Sequence, residues 1–316
     1  MSAHWTTDRG RGSECMIRLI LFLARRLGRR AVLPLLHPIA LYFVIFSARA
    51  RRASRRYLAR ALDRPAGWID VYRHYRTFAV TLLDRVYLRA GDTDMLHLRL
   101  EADARARTLI DSGPCVLLGA HLGSFEAARH LADGIPGLRV RPLMYRAQGQ
   151  TLERVLAELD PEATDEVIEL GEPHSLLRAA GAVQEGASVA LLADRRLGHD
   201  RVHRCRFLGG DILLPEGPFR LAHALQVPVL LCFGLYRGHG AYEIRLECFT
   251  ERLALAPRTR GADLQSWGQR FADRLAALCR EAPYNWYNFF DVWEEAHEAE
   301  PLGAGRRGRV DPGGGR

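Results

Sequence analysis

Apolar residues in this chain follow two rhythms. Short continuous apolar runs alternate with stretches in which apolar positions recur every three or four residues. The runs predict strands over 115–119, 139–145, 166–170, 188–193, 227–235 and 241–249. The periodic stretches predict helices over 125–133, 149–159, 175–185, 217–226 and 262–281. Strands alternating with helices predict an α/β fold, a largely parallel central sheet flanked by helices. Residues 68–110, rich in aromatics and arginine, predict further helices. The tail from Gly303, GAGRRGRVDPGGGR, has too little apolar content to pack and is expected to be disordered.

The first sixty residues break this rhythm. They hold thirteen arginines against Asp8 and Glu14, a balance of +11, while the other 256 residues sum to −3. Between the arginines lie Ile17 to Ala24 and the 17-residue stretch AVLPLLHPIALYFVIFS at Ala31 to Ser47. A nucleic-acid arm rarely carries so much Leu, Ile, Phe and Val, so an anionic membrane surface is the expected partner. The stretch is at the lower limit for crossing a bilayer and contains Pro34, His37 and Pro38. Arginines on both flanks favour a helical anchor lying in the interface. The expected organisation is a basic, apolar membrane-associating segment over 1–60, an α/β domain over 61–300 and a tail over 301–316.

Candidate chemistry sits where strands end, which is where open α/β sheets gather their sites. The segment GAHLGSFEAAR places His121 five positions before Glu126. On one continuous helix such residues point roughly 140° apart. They can meet only if His121 lies at a strand exit and Glu126 in the first turn of the next helix. Gly123 and Ser124 supply the turn between them. The two residues are then a candidate general base and the carboxylate that orients it. Tyr145 and Arg146 follow the second core strand, and Asp194 to Arg196 follow the strand SVALLAD. Glu216 and Gly217 open a helix whose backbone amides could hold a polar group.

Other chemistries find less support. The six cysteines, at 15, 115, 205, 232, 248 and 279, have no metal-type or paired spacing. His199 and His203 lack the companions of a zinc site, so no metal is expected. A GxSxG elbow, a P-loop and a GxGxxG turn after a strand are all missing, which argues against a serine hydrolase and against a nucleotide cofactor. The aromatic segment PYNWYNFFDVW at 283–293 can pack a core or line a substrate groove.

In this order, the basic apolar N-terminus, GAHLGSFE, MYR at 144–146, LLAD at 191–194, FLGGDILLPEGPFRLAHALQVPVL and the late aromatic segment resemble the late acyltransferases of lipid A biosynthesis. That family lies within the lysophospholipid acyltransferase superfamily, and the resemblance runs from about residue 15 to 293. It implies an enzyme at the cytoplasmic face of a bacterial inner membrane. Such an enzyme transfers a fatty acyl chain from acyl carrier protein, or coenzyme A, to a hydroxyl of a lipid or glycolipid acceptor. It further implies His121 and Glu126 as the catalytic pair, with Arg146 and Asp194 at substrate-binding positions and no cofactor. The acidic EEAHEAE after the aromatic segment departs from the family's usual ending and points to an acceptor other than lipid A. Two rival readings share these residues: a thioesterase using the same pair on water, and a non-catalytic membrane adaptor for acyl carrier protein.

Overall fold

In the computed structural model of this chain the apolar runs form one seven-stranded mixed sheet. Residues 18, 21–135, 138–145, 167–172, 174–196 and 200–298 are described, without the side chains of 295, 297 and 298. Strands β1 (His97–Ala102), β2 (Val116–Gly119), β3 (Val140–Tyr145), β4 (Ile168–Leu170), β5 (Ser188–Leu192), β8 (Val229–Gly238) and β9 (Ala241–Thr250) lie in the order β1-β9-β8-β2-β5-β3-β4. All neighbours are parallel except β8 and β9, which form an antiparallel hairpin. The helix predicted over 149–159 and the tail over 301–316 fall outside the described residues.

Alternation along the strands sorts side chains onto two faces. Val116, Leu118, Val189, Leu191 and Leu231 belong to the main core, which includes residues of α6 (Ser175–Gln184), α7 (Gly217–Leu225) and α8 (Arg260–Glu281). Leu117, Ala190, Leu230 and Leu246 form a second core with residues of α4 (Ala104–Ser112) and α5 (Phe125–Asp133). Buried on both faces, the central strands read as unbroken apolar runs, which is why the sequence betrays them. Helix starts are capped locally. Asp103 accepts from the Ala106 N–H at 2.6 Å, and Ser124 accepts from the Ala127 N–H at 3.1 Å.

Two stretches differ from expectation. Residues 68–110 are not helical throughout: α3 (Trp68–Arg89) and α4 enclose the edge strand β1. In β1, Leu98 and Leu100 alternate with polar residues, a period the surrounding arginines and aromatics obscure. Residues 202–215, over which no strand is predicted, form the antiparallel hairpin β6 (Val202–Phe207) and β7 (Gly210–Pro215). Its two-residue turn, Leu208 and Gly209, has both φ angles positive, at 46° and 77°.

The N-terminal helices are built into the same body. Residues 21–27 are helical, and a short helix Arg29–Val32 and a 3₁₀ turn Leu33–Leu35 lead into α1 (Leu36–Phe46) and α2 (Ala48–Ala61). A boundary at residue 60 falls inside α2, whose Tyr57, Leu58 and Ala61 are in the main core. Arg29 forms a buried bidentate pair with Asp84 of α3, at 2.6 and 3.0 Å, and Tyr242 of β9 donates to the same carboxylate at 2.7 Å. Residues Arg29–Phe46 are the one helical stretch among those described that is long and apolar enough to cross a membrane, and 28% of it is buried.

Candidate active site

Strand register brings the site together. Strands β2 and β5 are parallel neighbours, with Gly119 opposite Leu192. The residues two positions beyond each, His121 and Asp194, therefore face each other at the carboxyl ends. Asp194 Oδ1 lies 2.8 Å from His121 Nδ1, and Oδ2 accepts the His121 backbone N–H at 3.1 Å. Oδ2 also accepts from Trp286 Nε1 at 2.9 Å and Asn288 Nδ2 at 3.2 Å. The Asp194 side chain is completely buried, whereas that of His121 is 29% exposed.

In this geometry the carboxylate on the His121 ring is that of Asp194 and not that of Glu126. Glu126 does occupy the first turn of α5, as the spacing requires, but its carboxylate turns to α3. It accepts from Arg85 at 3.1 and 3.2 Å and from Arg89 at 2.8 Å. Burial opposes its charge, yet Arg85, Arg89 and Arg129 outweigh that and hold its pKa below the usual value. Glu126 thereby ties α5 to α3 directly behind the turn that carries His121.

With Nδ1 held by a carboxylate, the ring carries its proton there and presents Nε2 as an acceptor. Burial and the nearby Arg195 charge lower the His121 pKa, against the opposing pull of Asp194. The imidazole is thus neutral near pH 7, the state a general base needs. Burial works against the charged form of Asp194, but the bonds from His121 and the Arg195 charge keep its pKa low.

The C-terminal aromatic segment closes the site. Leu122 bridges Trp286 in antiparallel fashion, with the Tyr287 N–H on the His121 carbonyl and the Gly123 N–H on the Asn285 carbonyl, both at 2.8 Å. The Asn285 side chain pairs with both backbone groups of Tyr236 in β8. At the crossing, Gly123 has φ +77°, and a Cβ there would stand 1.9 Å from the Gly234 carbonyl oxygen. The backbone amides of Gly123 and Ser124 are spent on the Asn285 and Gly234 carbonyls, so neither is left to donate to a substrate. The roles of Trp286 and Asn288 are not legible from the segment's aromatic density, whereas Arg195 stands among the strand-exit residues singled out above. The signal was the pair of asparagines set among buried rings.

Arg195 donates to Asn288 Oδ1 at 2.6 Å and to the Tyr287 carbonyl at 2.9 Å. It borders a cavity of about 330 Å³ lined also by Leu191, Leu192, Tyr145, Gly217 and Pro218. The start of α7 is therefore beside the site, but the Glu216 carboxylate is engaged by Arg220 at 2.6 and 2.8 Å. Arg146 and His199 lie outside the described residues. His203 points into the core beneath α8, packed against Phe219. Among the described residues no three His, Cys, Asp or Glu side chains could jointly hold a metal ion. Burial pushes the thiols of Cys115, Cys205 and Cys232 up, to about 11, 12 and 12, so they stay protonated near neutral pH. Comparison with protein-family models and with curated proteins finds no match.

Proposed function

We propose that this protein is an O-acyltransferase working at a membrane surface, moving a fatty acyl group from a carrier-protein or coenzyme A thioester to a hydroxyl of a lipid or glycolipid. The observation that carries the reading is the imidazole of His121. It is neutral and half-buried, is held through Nδ1 by a buried carboxylate, and among the described residues makes no side-chain hydrogen bond except to Asp194. A base so placed activates a hydroxyl brought by the substrate. The acceptor oxygen attacks the thioester carbonyl as Nε2 takes its proton, and the thiolate leaves and is reprotonated from the imidazolium. Asp194 stabilises that imidazolium and fixes the tautomer, as the acid of a serine-protease triad does without a serine.

The cavity is bordered by Arg195, one residue along the chain from Asp194, and offers aliphatic surface from Leu170, Leu176, Leu191, Leu192 and Leu221. Leu41, Tyr42, Ile45 and Phe46 of α1, with Trp68 and Ile69 of α3, are more than half, or half, exposed. Arg51 ties these two groups together, bonding the Val44 and Ile45 carbonyls and lying over Trp68 at 4.9 Å. The run from Arg29 to Phe46 is interrupted by the 3₁₀ turn at Leu33–Leu35, and arginines flank it on both sides, which supports an interfacial position.

The test supplies an acyl thioester and a membrane lipid extract and reads acylated lipid by mass spectrometry. Substituting His121→Ala or Asp194→Asn lowers transfer by about 10²–10⁴-fold with the fold intact by circular dichroism. Wild-type transfer by His121→Ala refutes the mechanism. Release of free fatty acid with no acylated lipid identifies a thioesterase instead.

A further inference from the structure

Asn288 bridges the side chains of two consecutive charged residues, Asp194 and Arg195. Asp194 and Arg195 are consecutive residues, and a carboxylate beside a guanidinium in a poorly solvated site ordinarily forms a direct, often bidentate, pair. Here the side chains hold apart. The Asn288 amide donates to Asp194 Oδ2 at 3.2 Å and accepts from Arg195 Nε at 2.6 Å. The guanidinium's second bond goes to the Tyr287 carbonyl, and its face lies 5.8 Å from the Phe290 ring. Asn288 is 1% exposed, and its orientation is dictated by its partners, since a flipped amide would oppose donor to donor and acceptor to acceptor.

The distribution of bonds on Asp194 shows what this separation achieves. Oδ2 takes three donors, from the His121 backbone, Trp286 and Asn288. Oδ1 takes one, His121 Nδ1. A guanidinium docked on the carboxylate would compete for Oδ1 and neutralise the charge that stabilises the imidazolium. We infer that Asn288 is a positioning residue: its amide spans Asp194 and Arg195, prevents their direct ion pair, and reserves one carboxylate oxygen for the His121 ring. The charged side chains that act on that ring are Asp194 and Arg195, and the aromatic segment packed against it contributes backbone and amide groups.

The inference rests on His121 as the general base, but its test reads the ring and not turnover, so the two can fail separately. Full-length protein with labelled histidines is titrated by NMR, and the His121 signal among the twelve histidines is assigned by its loss in His121→Gln. Wild type shows the Nδ1–H tautomer. In Asn288→Ala, Arg195 closes on Asp194, the ring midpoint falls by roughly half a unit or more, and the Nε2–H tautomer appears. In Arg195→Met the midpoint rises while the tautomer stays. The double variant keeps the Nδ1–H tautomer, because no guanidinium remains to divert the carboxylate. A loss of packing alone would act equally in both backgrounds. The inference is overturned by an unchanged tautomer in Asn288→Ala, or by a double variant that shifts as far as Asn288→Ala does. Should Asn288→Ala fail to fold, Asn288→Ser, too short to span both charges, is read in its place, and an unchanged tautomer there overturns the inference.

Discussion

At the scale of single residues, two carboxylates within reach of the same turn have opposite duties. Asp194 serves the imidazole, and Glu126 serves the frame. Substituting Glu126→Gln removes the negative charge that Arg85 and Arg89 share in a buried setting, and is expected to cost about 1–3 kcal/mol of stability. Urea denaturation measures that loss. Turnover per folded molecule stays within tenfold of wild type, unlike Asp194→Asn, and a collapse of turnover in a folded Glu126→Gln would return the orienting role to Glu126. The sequence showed His121 and Asp194 as polar residues at strand exits but could not pair them. Pairing depends on β2 and β5 being neighbours in register, a fact of sheet order that local pattern does not encode. Proximity along the chain favoured Glu126 instead. In the first turn of α5 its side chain meets α3, whose arginines lie 37 and 41 positions away.

Among the elements, the hairpin β6–β7 and helix α8 show how a missed strand pair shapes the core. The period-2 burial of β6 sets His203 and Cys205 inward, and His203 enters a notch that α8 leaves at Gly268. A Cβ at that glycine would stand 2.0 Å from His203 Nε2, so the buried ring or the helix would have to shift. Gly268→Ala is therefore expected to destabilise the protein by about 1–3 kcal/mol, seen as a lower melting temperature. Adding His203→Ala removes the clashing ring, so the alanine at 268 costs much less in that background. Equal costs in both backgrounds would show that the contact is not the cause. The central strands, β8, α5, α7 and α8 were readable because both faces of each strand, or one stripe of each helix, are apolar. The edge strand β1 and the hairpin were not, since half of each is polar and their identity comes from partners elsewhere in the chain.

Over the whole molecule, several histidines are held neutral by burial. His74 is the clearest: Nε2 bonds the Trp286 carbonyl and Nδ1 the Ser54 hydroxyl, each at 2.8 Å, and burial lowers its pKa to about 4. His121 and His203 are shifted in the same direction, also chiefly by burial. The unfolded chain titrates these rings near 6.5, so between there and the folded values the unfolded state binds more protons. Stability is therefore full above about pH 6.5 and falls as pH drops, with His74 alone accounting for on the order of 3 kcal/mol by pH 4. Urea midpoints should decline across this range, and less steeply in His74→Gln; parallel declines would remove His74 as a cause. The His121–Asp194 pair joins residues 73 positions apart, and the indole and amide N–H groups that hold its carboxylate come 92 and 94 positions later still. A ribosome that has made β2 has made a histidine without a partner, and one that has made β5 has made a carboxylate without its clamp. Only when the segment around Trp286 has emerged and crossed the ends of the sheet is the Asp194 carboxylate fully bonded, so the proposed base is completed well after both members of the pair exist.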